Sequence, residues 1–181
     1  DVAGGTAVRC ALNNGDYLYY APEGSRLQKM DTSDVVTDAG LNADSKDYHW
    51  MIRHNGFVFA GKYDTNQVYR GNSLTLADLQ GTTADENIIY IGRGDIPTIW
   101  AKVFDGNLYI GRQDGIWHLG EDGVARLLVD HSREQDSTNL LSGEVVNGFL
   151  MFPVRDQIVQ WNGVRVSDTT PGAVSDSFPY K

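Results

Sequence analysis

The sequence predicts an all-β fold of four repeated antiparallel sheets, on three observations: an Asn-Gly or Asp-Gly pair recurs four times, apolar residues follow it at fixed distances, and the acids are overwhelmingly aspartate. The pairs are Asn14-Gly15, Asn55-Gly56, Asp105-Gly106 and Asn147-Gly148, separated by 41, 50 and 42 residues. Each sits between two apolar segments. That is where a two-residue type I′ turn closes a β-hairpin, because both central positions need positive φ. Two residues after the glycine stand Tyr17, Val58, Leu108 and Leu150, and the next two rows are apolar or aromatic as well. A short strand that is apolar throughout needs cover on both faces. The acids comprise 19 Asp and 5 Glu, beside 20 Gly in 181 residues, a composition that favours turns over helices.

The elements follow in order. A strand precedes each first turn, as at residues 7–12 and 99–104, and the apolar rows after the turn form the second strand. Eight residues past the glycine every copy carries an acid, Glu23, Asp64, Asp114 or Asp156, which marks the next turn. Third strands are expected at 26–30, 67–70, 115–119 and 157–161. Asp122-Gly123 and Asn162-Gly163 then lead into fourth strands in the last two copies. One such meander, of about 40 to 50 residues, cannot bury two apolar faces alone, whereas stacking meanders side by side covers both. The expected architecture is a β-propeller of four four-stranded antiparallel blades, at about residues 3–42, 47–92, 97–130 and 140–170, with a C-terminal tail at 171–181. Residues 74–85 are expected to include a helical turn, and 132–139 to form a loop between blades. Four copies fit either a ring that closes with four or half of a larger propeller.

Residues 106–119, reading GNLYIGRQDGIWHL, resemble the repeat of the two-component-regulator propellers: a strand with an aromatic and a Gly, then Asp-Gly, then an aromatic strand. The resemblance implies a propeller and no chemistry. The sialidase Asp box and the Trp-Asp ending of WD repeats are absent. Haemopexin-like four-bladed propellers close with a disulfide, which the single cysteine, Cys10, cannot form.

Composition excludes several partners. There are 24 acidic and 15 basic residues, for a net charge of -9, and the cations are scattered singly. No basic stripe exists to neutralise phosphates, so nucleic acid is not an expected partner. No apolar run approaches the roughly 18 residues of a spanning helix, so membrane insertion is not expected. The chain opens at Asp1 without a methionine or signal-like segment, which suggests a processed product or a piece of something longer.

Two constellations bear on binding. The repeated acids Glu23, Asp64, Asp114 and Asp156 are expected to fix turns by accepting backbone hydrogen bonds; the alternative is a carboxylate ring for a cation such as calcium. Trp50 and Trp100 each stand six residues before their glycine, either as wedges between blades or as an aromatic platform for sugars or proteins. Trp117 and Trp161, on third strands, are expected to pack. Arg93-Gly94-Asp95 spells an adhesion tripeptide but is expected to be ordinary turn chemistry. His49, His54, His118 and His131 make no metal spacing, and no nucleophile elbow, P-loop or dinucleotide fingerprint occurs, so no metal, cofactor or catalytic residue is assigned.

The expected function is therefore a non-catalytic propeller module. It would recognise or scaffold other protein subunits, or a copy of itself, within a larger extracellular or virion assembly such as a phage tail. The alternative is a glycan-binding lectin or sensor, and a third reading is a propeller glycoside hydrolase or lyase.

Overall fold

The turns that organise the sequence also organise the structure, a computed structural model that describes residues 7–39, 47–62, 64–72, 87–94, 96–130, 143–154, 157–164 and 166–168. The expected helical turn at 74–85, the loop at 132–139 and the tail at 171–181 lie outside the described residues. Within them the chain forms four separate four-stranded antiparallel sheets with the strands in chain order, and no helix. Sheet one contains β1 (Val8–Asn14), β2 (Tyr17–Pro22), β3 (Gln28–Met30) and β4 (Val36–Asp38). Sheet two contains β5 (Tyr48–His54), β6 (Phe57–Lys62), β7 (Gln67–Asn72) and β8 (Ile88–Tyr90). Sheet three contains β9 (Thr98–Phe104), β10 (Asn107–Arg112), β11 (Gly115–Leu119) and β12 (Ala125–Asp130). Sheet four contains β13 (Glu144–Val146), β14 (Phe149–Val154), β15 (Gln157–Trp161) and β16 (Val166–Asp168). Two compact units divide the chain, Asp1–Thr98 and Ile99–Lys181.

Three first turns have the expected chemistry. Asn55 and Gly56 have φ of 46° and 79°, Asp105 and Gly106 47° and 72°, and Asn147 and Gly148 50° and 79°, the pair of left-handed residues that a type I′ turn requires. The first sheet differs. Asn14 is a strand residue paired with Tyr17, so the two turn residues are Gly15 and Asp16, of which only Gly15 has positive φ, at 68°. This is the pattern of a type II′ turn, whose single left-handed position comes first. The gap-free alignment on glycine is therefore one residue out of phase in the first copy. In the true frame Tyr17 is equivalent to Phe57 and Phe149, and Leu18 to Val58, Leu108 and Leu150.

In the first unit, the buried residues Tyr19 and Ala21 of sheet one, and Leu27 just before β3, pack against Val58, Ala60 and Met51 of sheet two. The first strands of the two sheets, β1 and β5, also touch. In the second unit, Trp100, Tyr109 and Ile116 of sheet three pack against Leu150, Phe152 and Trp161 of sheet four. Each pairing joins two flat apolar faces, as the solid apolar second strands require. Among the described residues, two polar bonds cross the second pairing: Lys102 Nζ donates to Glu144 Oε2 at 2.7 Å near the surface, and the buried Trp161 Nε1 donates to Tyr109 Oη at 3.2 Å. Tyr109→Phe leaves that donor buried without its acceptor. It is expected to lower unfolding free energy by about 1–3 kcal/mol in urea titration, against near-neutrality if the bond were solvent-exchanged.

Candidate functional site

The tryptophans come first. Trp50 and Trp100 occupy the same place on β5 and β9, and both are buried. Their indoles lie over Gly61 and Gly111 on the neighbouring second strands, where an added Cβ would run into the ring. Trp50 Nε1 donates to Thr98 Oγ1 at 3.1 Å, and the far edge of Trp100 reaches Gly143. The rings thus sit on seats that only glycine leaves open. Sheet one puts Cys10 at the equivalent position, paired with Ala21. Cys10 Sγ is 3.5 Å from the Tyr48 carbonyl, and burial pushes its thiol up to about 12, with Arg9 opposing weakly. Almost no thiolate forms at neutral pH, so Cys10 is expected to react with iodoacetamide at least about a hundredfold more slowly in the native than in the urea-unfolded protein. Equal rates in the two states would show an open site.

The repeated acids are used one by one. Asp114 takes a bidentate grip from the fully buried Arg112, with Nε at 2.9 Å from Oδ1 and Nη2 at 3.0 Å from Oδ2. Arg112 stacks over Trp117 at 5.4 Å; burial pulls its guanidinium down from the usual range, and Asp114 opposes this. Glu23 accepts from Arg9 Nη2 at 2.7 Å. Asp64 is an exposed turn residue in the left-handed region, with φ of 72°. Asp156 lies outside the described residues. In the corrected frame Glu23 falls one position before the other acids, and Gly24, with φ of 67°, takes the corner that Asp64 takes in sheet two. No three His, Cys, Asp or Glu residues group to hold a metal ion among the described residues.

One set of exposed residues escaped the sequence reading. Directly after the first turns, Tyr17 and Phe57 stand 40% and 42% exposed at equivalent positions of sheets one and two. Lys29 Nζ lies 5.0 Å from the Tyr17 ring, and the Arg70 guanidinium 5.1 Å from the Phe57 ring. The register explains the repetition, since Tyr19 pairs with Lys29 and Phe59 with Arg70, which places each cation diagonally beside the outer ring. Tyr17 and Phe57 also contact the inner rings Tyr19 and Phe59, at 6.2 and 6.4 Å. The third sheet keeps the row in another form: His118 stacks on Tyr109 at 5.5 Å and its Nε2 is 3.1 Å from Asn107 Oδ1. Burial, and then Arg126, lower the basicity of His118. The misplaced first turn hid this row, because it set Tyr17 against Val58.

No protein-family profile and no curated protein matches the sequence. Solved structures do share the architecture. Virginiamycin B lyase from Staphylococcus aureus is similar at 12% identity and TM-score 0.67, over 96% of this chain and 59% of its own. The extracellular domain of a hybrid two-component system from B. thetaiotaomicron is similar at 12% identity and TM-score 0.65, over 89% of this chain and 22% of its own. PorZ, a surface component of the type-IX secretion system of Porphyromonas gingivalis, is similar at 15% identity and TM-score 0.57, over 98% and 22%. The chain spans 59% or less of each of these proteins. At such identities the likeness is one of fold, and it agrees with the four sheets: this is an all-β protein of the β-propeller class with four four-stranded blades.

Proposed function

We propose that the chain is a non-catalytic recognition module of a larger extracellular assembly, and that it meets a partner subunit through the aromatic and cationic row after its first turns. One observation carries this reading: Tyr17 with Lys29 and Phe57 with Arg70 repeat the same exposed ring and cation on neighbouring blades. Aromatic rings and arginine are the side chains enriched at protein interfaces, and the Phe57–Arg70 pair has both. In this reading Trp50, Trp100, Glu23, Asp64, Asp114 and Asp156 act through the fold, whose blades they hold, and blade 3 is a repeat of the two-component-regulator kind. The setting is supported by neighbours that are an extracellular domain and a surface component. Its narrower form, a virion or phage-tail subunit, rests on the Asp- and Gly-rich β composition. Cross-linking mass spectrometry on the native assembly tests the reading. Cross-links from Lys29 to another subunit, lost in Tyr17→Ser/Phe57→Ser, are expected; a full cross-link pattern in that double variant contradicts it.

The same rings support glycan binding as a second reading, because a sugar face stacks on an exposed aromatic. A glycan array separates the two. Specific binding abolished by Tyr17→Ser favours the lectin, whereas silence on the array with intact cross-links favours the subunit interface.

A further inference from the structure

Carboxylates outnumber cations 24 to 15, so a cation in this chain ordinarily finds one. Arg9, Arg26, Lys102, Arg112 and Arg126 do so, in ion pairs with Glu23, Asp38, Glu144, Asp114 and Asp122. Among the described residues Lys29, Arg53 and Arg70 form no ion pair. All three stand at the first-turn end of sheets one and two, inside the unit Asp1–Thr98. Lys29 and Arg70 lie against the exposed Tyr17 and Phe57 rings, and the exposed Arg53 pairs with Val58, the residue after Phe57. Acids at the same end of sheet one leave these cations open. Asp31 Oδ1 accepts the N–H groups of Ser33 and Val35, and the exposed turn residues Asp16 and Asp34 pair with none of the three.

The fold does not require these charges. Lys29, Arg70, His118 and Gln160 are equivalent, since each faces the third residue of a second strand, Tyr19, Phe59, Tyr109 or Met151. Arg53 corresponds to Asn13, Val103 and Val145, each next to last on its first strand. Sheets three and four thus build the same meander with Gln160, with valines, and with His118, whose basicity burial lowers. The cation across from His118 is Arg126, and Asp122 neutralises it. The open cations therefore gather at one end of one unit, among two exposed rings, in a molecule of net charge -9. A cationic edge of this kind selects an anionic partner by charge complementarity. Three cations do not make the basic stripe that a nucleic-acid backbone needs. Asp and Glu side chains set among apolar ones answer both the cations and the rings. We infer that the partner subunit presents an acidic segment to this row, its carboxylates meeting Lys29, Arg53 and Arg70 and its apolar side chains meeting Tyr17 and Phe57. The inference rests on the rim row being a partner interface and adds the charge of what docks there.

Fluorescence anisotropy with a labelled alternating Glu-Tyr decapeptide, at neutral pH and low ionic strength, tests the inference. The wild type is expected to bind it at least about tenfold more tightly than the neutral Gln-Tyr analogue. The overall charge works against this result, because the molecule as a whole repels anions, so capture has to come from local contacts. Lys29→Gln/Arg53→Gln/Arg70→Gln is expected to lose about tenfold or more in affinity for the Glu-Tyr peptide. Its melting profile should match the wild type, because none of the three side chains belongs to the buried core or holds an ion pair. Four results overturn the inference: equal affinity for the two peptides, affinity that survives the triple substitution, no binding of either peptide, or capture of hyaluronate, a glucuronate polymer, in place of the Glu-Tyr peptide. The last would assign the cations to an acidic glycan. The rim row itself is judged separately, by the cross-links from Lys29 in the native assembly. Where those persist, any of the four results removes the acidic partner and leaves the interface standing.

Discussion

Replacing Trp100 by alanine is expected to cost about 3–5 kcal/mol of unfolding free energy, the usual range for an emptied tryptophan site. The ring is buried among Phe104, Tyr109 and the sheet-four residues Leu150 and Phe152, and it rests on Gly111 with its far edge against Gly143. The reverse experiment fills the seat. Gly111→Val drives methyl groups into the indole, and overpacking of this kind is expected to cost about 3 kcal/mol. The two changes address one volume, so together they should cost clearly less than their sum. Guanidinium titration of the four proteins gives the cycle. Strict additivity, or a Gly111→Val loss below about 0.5 kcal/mol, would mean that glycine and indole are not in contact. Gly61→Val over Trp50 is the matching experiment in the first unit.

Asp114→Ala is expected to destabilise by about 3 kcal/mol, at the lower end for breaking a buried ion pair, since the guanidinium of Arg112 stays inside without its carboxylate. Arg112→Met on top of Asp114→Ala removes the stranded charge and should recover most of the loss, as apolar replacements of buried pairs do. This cycle also decides what the repeated acid is for. If Asp114 serves the fold, the melting temperature of the wild type is indifferent to millimolar calcium. A calcium-dependent rise that disappears in Asp114→Ala would restore the carboxylate ring.

The sheets were legible because their signals are local. Left-handed turn pairs such as Asp105-Gly106 and the apolar triplets after them are read from adjacent residues. What was illegible depended on pairing. Nothing in the string Asn14-Gly15-Asp16 tells a type I′ turn from a type II′ turn one residue later; the difference is whether Asn14 pairs with Tyr17. That slip moved Tyr17 out of line with Phe57 and concealed the cationic partners, which become neighbours only through the β2–β3 and β6–β7 registers. The acids illustrate the other limit. Their period is visible, but the arginines that hold Asp114 and Glu23 have no common spacing, two residues away in one case and fourteen in the other. The tryptophans repeat too, yet whether a ring packs or faces solvent depends on what lies across it, here Gly61 and Gly111.

Trp50 is the single indole between Asp1 and Thr98, while Trp100, Trp117 and Trp161 all belong to the remainder of the chain. Each half of the molecule thus carries its own fluorophore, and that of the first half can be silenced by Trp50→Phe. Comparing emission of the parent and that variant through a denaturant gradient separates the melting of the halves. Coincident midpoints would make the protein one cooperative block; a split would show that the front pair of blades can open while the rear pair holds.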